Sequence, residues 1–129
     1  MIDVNGYFAP PGQNGLSLYP MAPCRVLDTR KGKGQFVGTM VVDAVDGVCE
    51  PSSLAEAYVF NATVVPADTL GFLTLWPNGE AQPFVSTLNS LEGAVTSNMA
   101  IVPTNNGSID AYATDLTQLV MDISPYFAP

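Results

Sequence analysis

Hydrophobic positions along this chain come in short runs separated by turn-forming residues. Val, Ile, Thr, Tyr and Phe dominate the runs, which is the signature of strands. The pattern predicts strands over 2–8, 16–19, 24–28, 38–45, 57–65, 71–76, 84–89, 94–102, 108–113 and 118–124. Turns are predicted at Pro11-Gly12, Asn14-Gly15, Lys31-Gly32-Lys33-Gly34, Asp46-Gly47, Pro66-Ala67-Asp68, Pro77-Asn78-Gly79, Glu92-Gly93 and Asn105-Asn106-Gly107. Asn-Gly pairs suit tight hairpins because both residues tolerate positive φ. The best helical stretch, 52–57, is one or two turns at most. The expected fold is all-β, a jelly-roll-like antiparallel β-sandwich of about nine to ten short strands.

One run is apolar on both faces. In 57–65, Tyr58, Phe60, Ala62 and Val64 share one face, and Ala57, Val59, Asn61, Thr63 and Val65 share the other. Neither face is charged, so the run reads as a central strand, and 71–76 behaves similarly. Asn61, Asn89 and Asn98 then read either as internal hydrogen-bond staples or as exposed polar residues.

The two chain ends repeat each other. Ile2-Asp3-Val4-Asn5-Gly6-Tyr7-Phe8-Ala9-Pro10 aligns without gaps to Met121-Asp122-Ile123-Ser124-Pro125-Tyr126-Phe127-Ala128-Pro129. Five of the nine positions are identical, at an offset of 119 residues. Self-similarity at a fixed period is the mark of a tandem array. The chain therefore divides into residues 1–10, equivalent to the last strand of a preceding repeat, a linker at 11–15, and one repeat domain at 16–129.

Several blocks resemble the tandem β-repeat of large secreted surface proteins of soil bacteria. They are Pro23-Cys24-Arg25-Val26-Leu27-Asp28-Thr29-Arg30, Phe60-Asn61-Ala62-Thr63-Val64, Gly71-Phe72-Leu73-Thr74-Leu75-Trp76-Pro77, Ser86-Thr87-Leu88-Asn89, Asn98-Met99-Ala100-Ile101-Val102-Pro103 and Val120-Met121-Asp122-Ile123-Ser124-Pro125-Tyr126-Phe127. The resemblance implies an all-β module carried in tandem, with no catalytic residues to transfer. In that family Asn-Gly often precedes Tyr-Phe. Here the N-terminal copy keeps Asn5-Gly6, while the C-terminal copy has Ser124-Pro125. Proline cannot donate in a ladder, so that strand is expected to end differently.

Composition narrows the function. The 129 residues carry 4 Lys plus Arg against 12 Asp plus Glu, for a net charge of −8, and no histidine. Such a chain offers a phosphate backbone no electrostatic footprint, so nucleic acid is not an expected partner. Without His there is no Ser-His or Cys-His nucleophile pair and no His-based zinc site. No apolar run is long enough to cross a membrane, so membrane insertion is not expected. The N-terminus lacks a signal-peptide pattern, and Met1 reads as a start placed on an excised fragment. Cys24 and Cys49 enclose 24 residues. They read either as a disulfide or as two buried thiols, and a bridge fits an extracellular or cell-surface setting.

No pair of carboxylates is singled out, so the chain does not read as an enzyme. Asp43-Ala44-Val45-Asp46-Gly47 is only a fragment of a calcium loop, and no cofactor is expected. Arg25, Arg30, Lys31 and Lys33 hold all the positive charge within nine positions. They read either as a structural Arg–Asp arrangement with a solvated loop, or as an electropositive patch that meets an acidic neighbour. Trp76, Tyr58, Tyr112 and Tyr19 offer a possible stacking platform for a glycan, or simply core.

The duplicated strand points to a partner. One domain has one slot for it, and the chain has two candidates. If 118–127 closes the sheet, then Ile2, Val4, Tyr7 and Phe8 are left over as a pairing template. They would join a neighbouring copy, by strand addition or donor-strand exchange, around Met121, Ile123, Tyr126 and Phe127. Such contacts propagate head to tail into filaments. The expected function is thus a self-assembling structural repeat. A monomeric carbohydrate-binding or adhesion module is the alternative, with a frayed or folded-back N-terminal tail.

Overall fold

The computed structural model describes every residue except Met1, Asp3, Asn5, Pro11 and Gln13. Seven strands form one antiparallel sheet: β1 (Ser17–Asp28), β2 (Phe36–Asp43), β3 (Ala57–Pro66), β4 (Leu70–Pro77), β5 (Leu88–Ser90), β6 (Thr96–Pro103) and β7 (Ser108–Ala128). A single 3₁₀ turn, Thr29–Lys31, separates β1 from β2. The sheet curls until it is nearly closed into a barrel.

β7 is the spine. Along one edge β1 pairs with residues 120–128 and β2 with 108–117. Along the other, β3 pairs with residues 117–127 and β4 with 109–113. β6 then pairs with β3, and β5 with β4. The chain thus lays two interrupted ribbons, β1–β2 and β3–β4, antiparallel to one continuous strand.

The β3–β4 ribbon breaks opposite residues 114–116 of β7, and the β1–β2 ribbon breaks opposite residues 118–119. Side chains replace the missing ladder bonds there. Gly71 N donates to Asp115 Oδ2 at 2.9 Å, and Phe72 N donates to Thr114 Oγ1 at 3.0 Å. On the opposite edge Thr29 Oγ1 accepts from Leu119 N at 2.9 Å and donates to Gln118 Oε1 at 2.6 Å. Thr29 is buried, so an unmade bond here would leave polar groups without water. Gly71 is required by close approach, because a Cβ would sit 2.8 Å from Thr114 Oγ1.

The core follows from strand alternation. Tyr58, Phe60, Ala62 and Val64 all point inward from β3 and are fully buried, as the two-faced run predicted. They meet Ile109, Ala111, Ala113, Leu119, Met121 and Ile123 from β7. The small alanines face the larger β3 and β4 side chains, an interdigitation that fills a curved interior.

The sequence-based elements need correction in five places. The runs 16–19 and 24–28 are one strand, carried past bulges at Pro20/Cys24 and Arg25/Leu27. The runs 108–113 and 118–124 are likewise one strand, which continues unbroken through Thr114 and Asp115. Run 84–89 gives way to the short β5; before it, Ser86 Oγ donates to Leu88 O, while Thr87 N donates to Leu73 O and Thr87 Oγ1 accepts from Leu75 N. Stretch 52–57 forms turns, not a helix. In the predicted 2–8 strand, Ile2, Val4 and residues 6–8 are not in a strand, while Asp3 and Asn5 lie outside the described residues. So do Pro11 and Gln13 of the linker.

Cys24 and Cys49 are bridged, with Cα atoms 5.6 Å apart. The bond ties the bulged centre of β1 to the long loop between β2 and β3. No helix among the described residues is long and apolar enough to cross a membrane.

Candidate functional site

The two terminal copies have opposite environments. The C-terminal copy completes β7, wedged between β1 and β3. Met121 and Ile123 are fully buried there. Asp122 accepts a forked pair of bonds from Arg25, from Nε at 2.8 Å and from Nη2 at 3.1 Å. Tyr126 stacks on Tyr19, with centroids 5.5 Å apart and planes 15° apart. Tyr19 also donates through its hydroxyl to the Pro129 carbonyl at 3.0 Å. Phe127 is half-buried and Ala128 is buried.

Four of the five residues shared by the two copies therefore have a traceable role in the slot. Asp122 pairs with Arg25, Tyr126 stacks on Tyr19, Ala128 packs inside, and Pro129 accepts from Tyr19. Sequence reasoning named Tyr19 only as a stacking candidate and Arg25 only within the basic cluster, and it missed their partners Tyr126 and Asp122. The signal was present as the Asp and Tyr shared between the copies, but their partners are about a hundred residues away.

The described apolar residues of the N-terminal copy stand in solvent. Ile2, Val4, Tyr7 and Phe8 are 83–91% exposed. Their one aromatic neighbour is Phe127, whose ring centroid lies 6.2 Å from that of Phe8. β1 begins at Ser17, opposite Ala128, so the N-terminal segment leaves the body beside the C-terminus.

The positive cluster is partly spent on structure. Arg30 forks onto Asp28 through Nε and Nη2, both at 2.8 Å, and Arg25 Nη1 lies 3.6 Å from the same carboxylate. These bonds hold the Asp28 carboxyl down at about 2, with the Arg30 hydrogen bond the largest cause. Lys33 Nζ donates to the Val41 carbonyl at 3.3 Å. Lys31 is exposed. Asp43, from the calcium-like fragment, instead caps a turn by accepting from Val45 N and Asp46 N at 3.0 and 3.1 Å. Among the described residues no three Asp, Glu, Cys or His gather as a metal site.

Of the four aromatic residues read as either platform or core, two belong to the core. Tyr58 and Trp76 are buried, and Trp76 Nε1 donates to the Glu80 carbonyl at 3.0 Å. Tyr19 is committed to Tyr126. A different trough of about 540 Å³ lies over β4 and β7, lined by Phe72, Phe84 and Tyr112 among others. Asn89 and Asn98 are exposed yet do staple: each amide donates at 2.8 Å to a backbone carbonyl, of Gly71 and Thr87 respectively. Asn61 is simply exposed.

Comparison of the chain with protein-family models, curated proteins and solved structures returns no match.

Proposed function

We propose that this chain is a structural repeat domain that self-assembles head to tail through its N-terminal segment, residues 2–8. One observation carries the reading. The segment keeps the residues that suit a strand slot, yet it lies exposed, because the C-terminal copy fills that slot. Burying Ile2, Val4, Tyr7 and Phe8 against a neighbour contributes roughly 1.5–3 kcal/mol each. That sum competes with an association cost of about 4–15 kcal/mol. The segment also has the reach. Ser17 lies fifteen positions along the chain from Ile2, a span of up to about 50 Å when extended.

The same reading makes the chain one unit of a tandem array from an extracellular or cell-surface protein, like the bacterial repeats it resembles. The disulfide is compatible with that setting. It also makes the fold a jelly roll. The pairings β1–β7–β3–β6 and β2–β7–β4–β5 support this, since β7 serves both sets with its two halves. A folded four-ribbon sheet of this kind is a jelly roll with its last two strands fused.

The test is deletion of residues 1–10. The full chain is expected to form filaments under negative-stain electron microscopy, and the deletion to remain a monomer by light scattering. Filaments that persist in the deletion would sink the proposal.

The second reading, a carbohydrate-binding or adhesion module, draws on the exposed trough. Phe84 stands fully in solvent beside Tyr112. A glycan array followed by Phe84→Ala tests it. Trp fluorescence is a poor reporter, because Trp76 is buried.

A further inference from the structure

The self-assembly reading leaves open where on the neighbour the N-terminal segment binds. Its own kind of slot is already taken. Residues 121–129 continue directly from the rest of β7, so a neighbour's segment could enter only by displacing them. With five of nine positions identical, such an exchange regains much the same contacts that it breaks. Addition to a free edge breaks nothing and buries new surface.

The open edges are not equally available. β1 carries Pro20 and Pro23, which lack the N–H that pairing needs. β2 is bulged between Phe36 and Gly38, where Gly38 has φ +81, and Lys33 sits on the Val41 carbonyl. β5 is three residues long. β6 has none of these backbone guards, although across the seam of the nearly closed sheet the Asn98 side chain donates to Thr87 O at 2.8 Å. Its residues 96–102 contain no proline, and the whole strand contains no charge. In a chain of net charge −8, a neutral edge is also where two copies meet with least repulsion.

The register shows which groups face outward. Thr104 N donates to Glu56 O, so even-numbered residues of β6 bond toward β3. Alternation then points the N–H and C=O of Ser97, Met99 and Ile101 away from the sheet. Among the described residues no backbone hydrogen bond reaches that side. Exposed apolar side chains run along the same ribbon: Leu91, Val95 and Met99 are each about two-thirds exposed.

We infer that the free edge of β6 is the acceptor for residues 2–8 of a second copy, which adds as a further strand beside Ser97, Met99 and Ile101. This rests on the self-assembly reading above, and one set of experiments separates the two. The full chain is compared above and below its assembly concentration by hydrogen exchange. The amides of Ser97, Met99 and Ile101 are expected to gain protection on assembly, while residues 121–128 stay protected throughout. Met99→Lys is expected to raise the assembly concentration at least tenfold. Val37→Lys, at a comparably exposed site on β2, is expected to leave it unchanged. Melting curves of both variants report that the body is folded.

Three results would overturn the inference. One is that Met99→Lys assembles like the parent chain, with no new protection at Ser97, Met99 and Ile101. Another is that protection passes from residues 121–128 to residues 2–8, which is the mark of exchange. In both cases the chain still assembles and only the acceptor is wrong. A full chain that stays monomeric removes the self-assembly reading and this inference together.

Discussion

At the scale of single residues, this domain depends on a few polar side chains placed where the sheet cannot bond to itself. Thr29 is the clearest case. Its hydroxyl serves both Leu119 N and Gln118 in a buried position. Thr29→Val keeps the shape and removes both bonds, and is expected to cost about 1–3 kcal/mol in urea unfolding. Asp28 sets the acid behaviour. Its folded-state value of about 2 lies below its usual 3.8, so its contribution is complete above that usual value and is lost as pH falls toward 2. Asp115 acts in the same direction, lowered chiefly by the Gly71 N–H and then by Thr114. Melting temperature is expected to drop between pH 4 and pH 2, and Asp28→Asn to flatten part of that slope. Gly107 is fixed by conformation and space. Its φ is +83, and a Cβ would collide with the Val45 side chain. The Asn105-Asn106-Gly107 turn was therefore readable from sequence, whereas the collision was not.

At the scale of elements, β7 was the least legible feature. Its 21 residues read as two strands because Thr114-Asp115-Leu116 interrupts the apolar pattern. In the structure those residues continue a single strand, and the Thr114 and Asp115 side chains accept from the first amides of β4. Local pattern cannot distinguish polar residues that end a strand from polar residues that bond to a neighbouring ribbon. β3 was the most legible, because its uncharged run alternates Tyr58, Phe60, Ala62 and Val64 on the face that the core buries. The disulfide is the other element-level constraint. Closing a loop of 24 residues restricts the unfolded chain by about 3–4 kcal/mol in the entropic account. Reduction is expected to lower the urea midpoint accordingly. Because Cys24 lies in the bulged part of β1, the pairing of residues 24–28 with 120–123 should loosen first. Hydrogen exchange of the reduced protein checks that order.

At the scale of the whole molecule, charge and the duplicated strand make separable predictions. Arg25 and Arg30 are already paired within the domain, so few cations remain to attract an acidic neighbour. An interface built from residues 2–8 is expected to hold from low salt to about 1 M, where screening shortens to about 3 Å. Assembly that dissolves with salt would return the role to Lys31 and Lys33. The sequence alone carried the all-β class, the turns, the central character of β3 and the repeat of 119 residues. Each is written in local patterning or self-similarity, which needs no partner to be read. Tertiary structure alone decided which copy of the repeated strand closes the sheet. The C-terminal copy wins because it is continuous with the rest of β7, so its pairing with β1 and β3 extends a ladder already formed. It also decided that Asp122 belongs to Arg25, that Tyr126 belongs to Tyr19, and that β6 is left with an open edge. Those facts depend on segments about a hundred residues apart in sequence meeting in space, which no local pattern records.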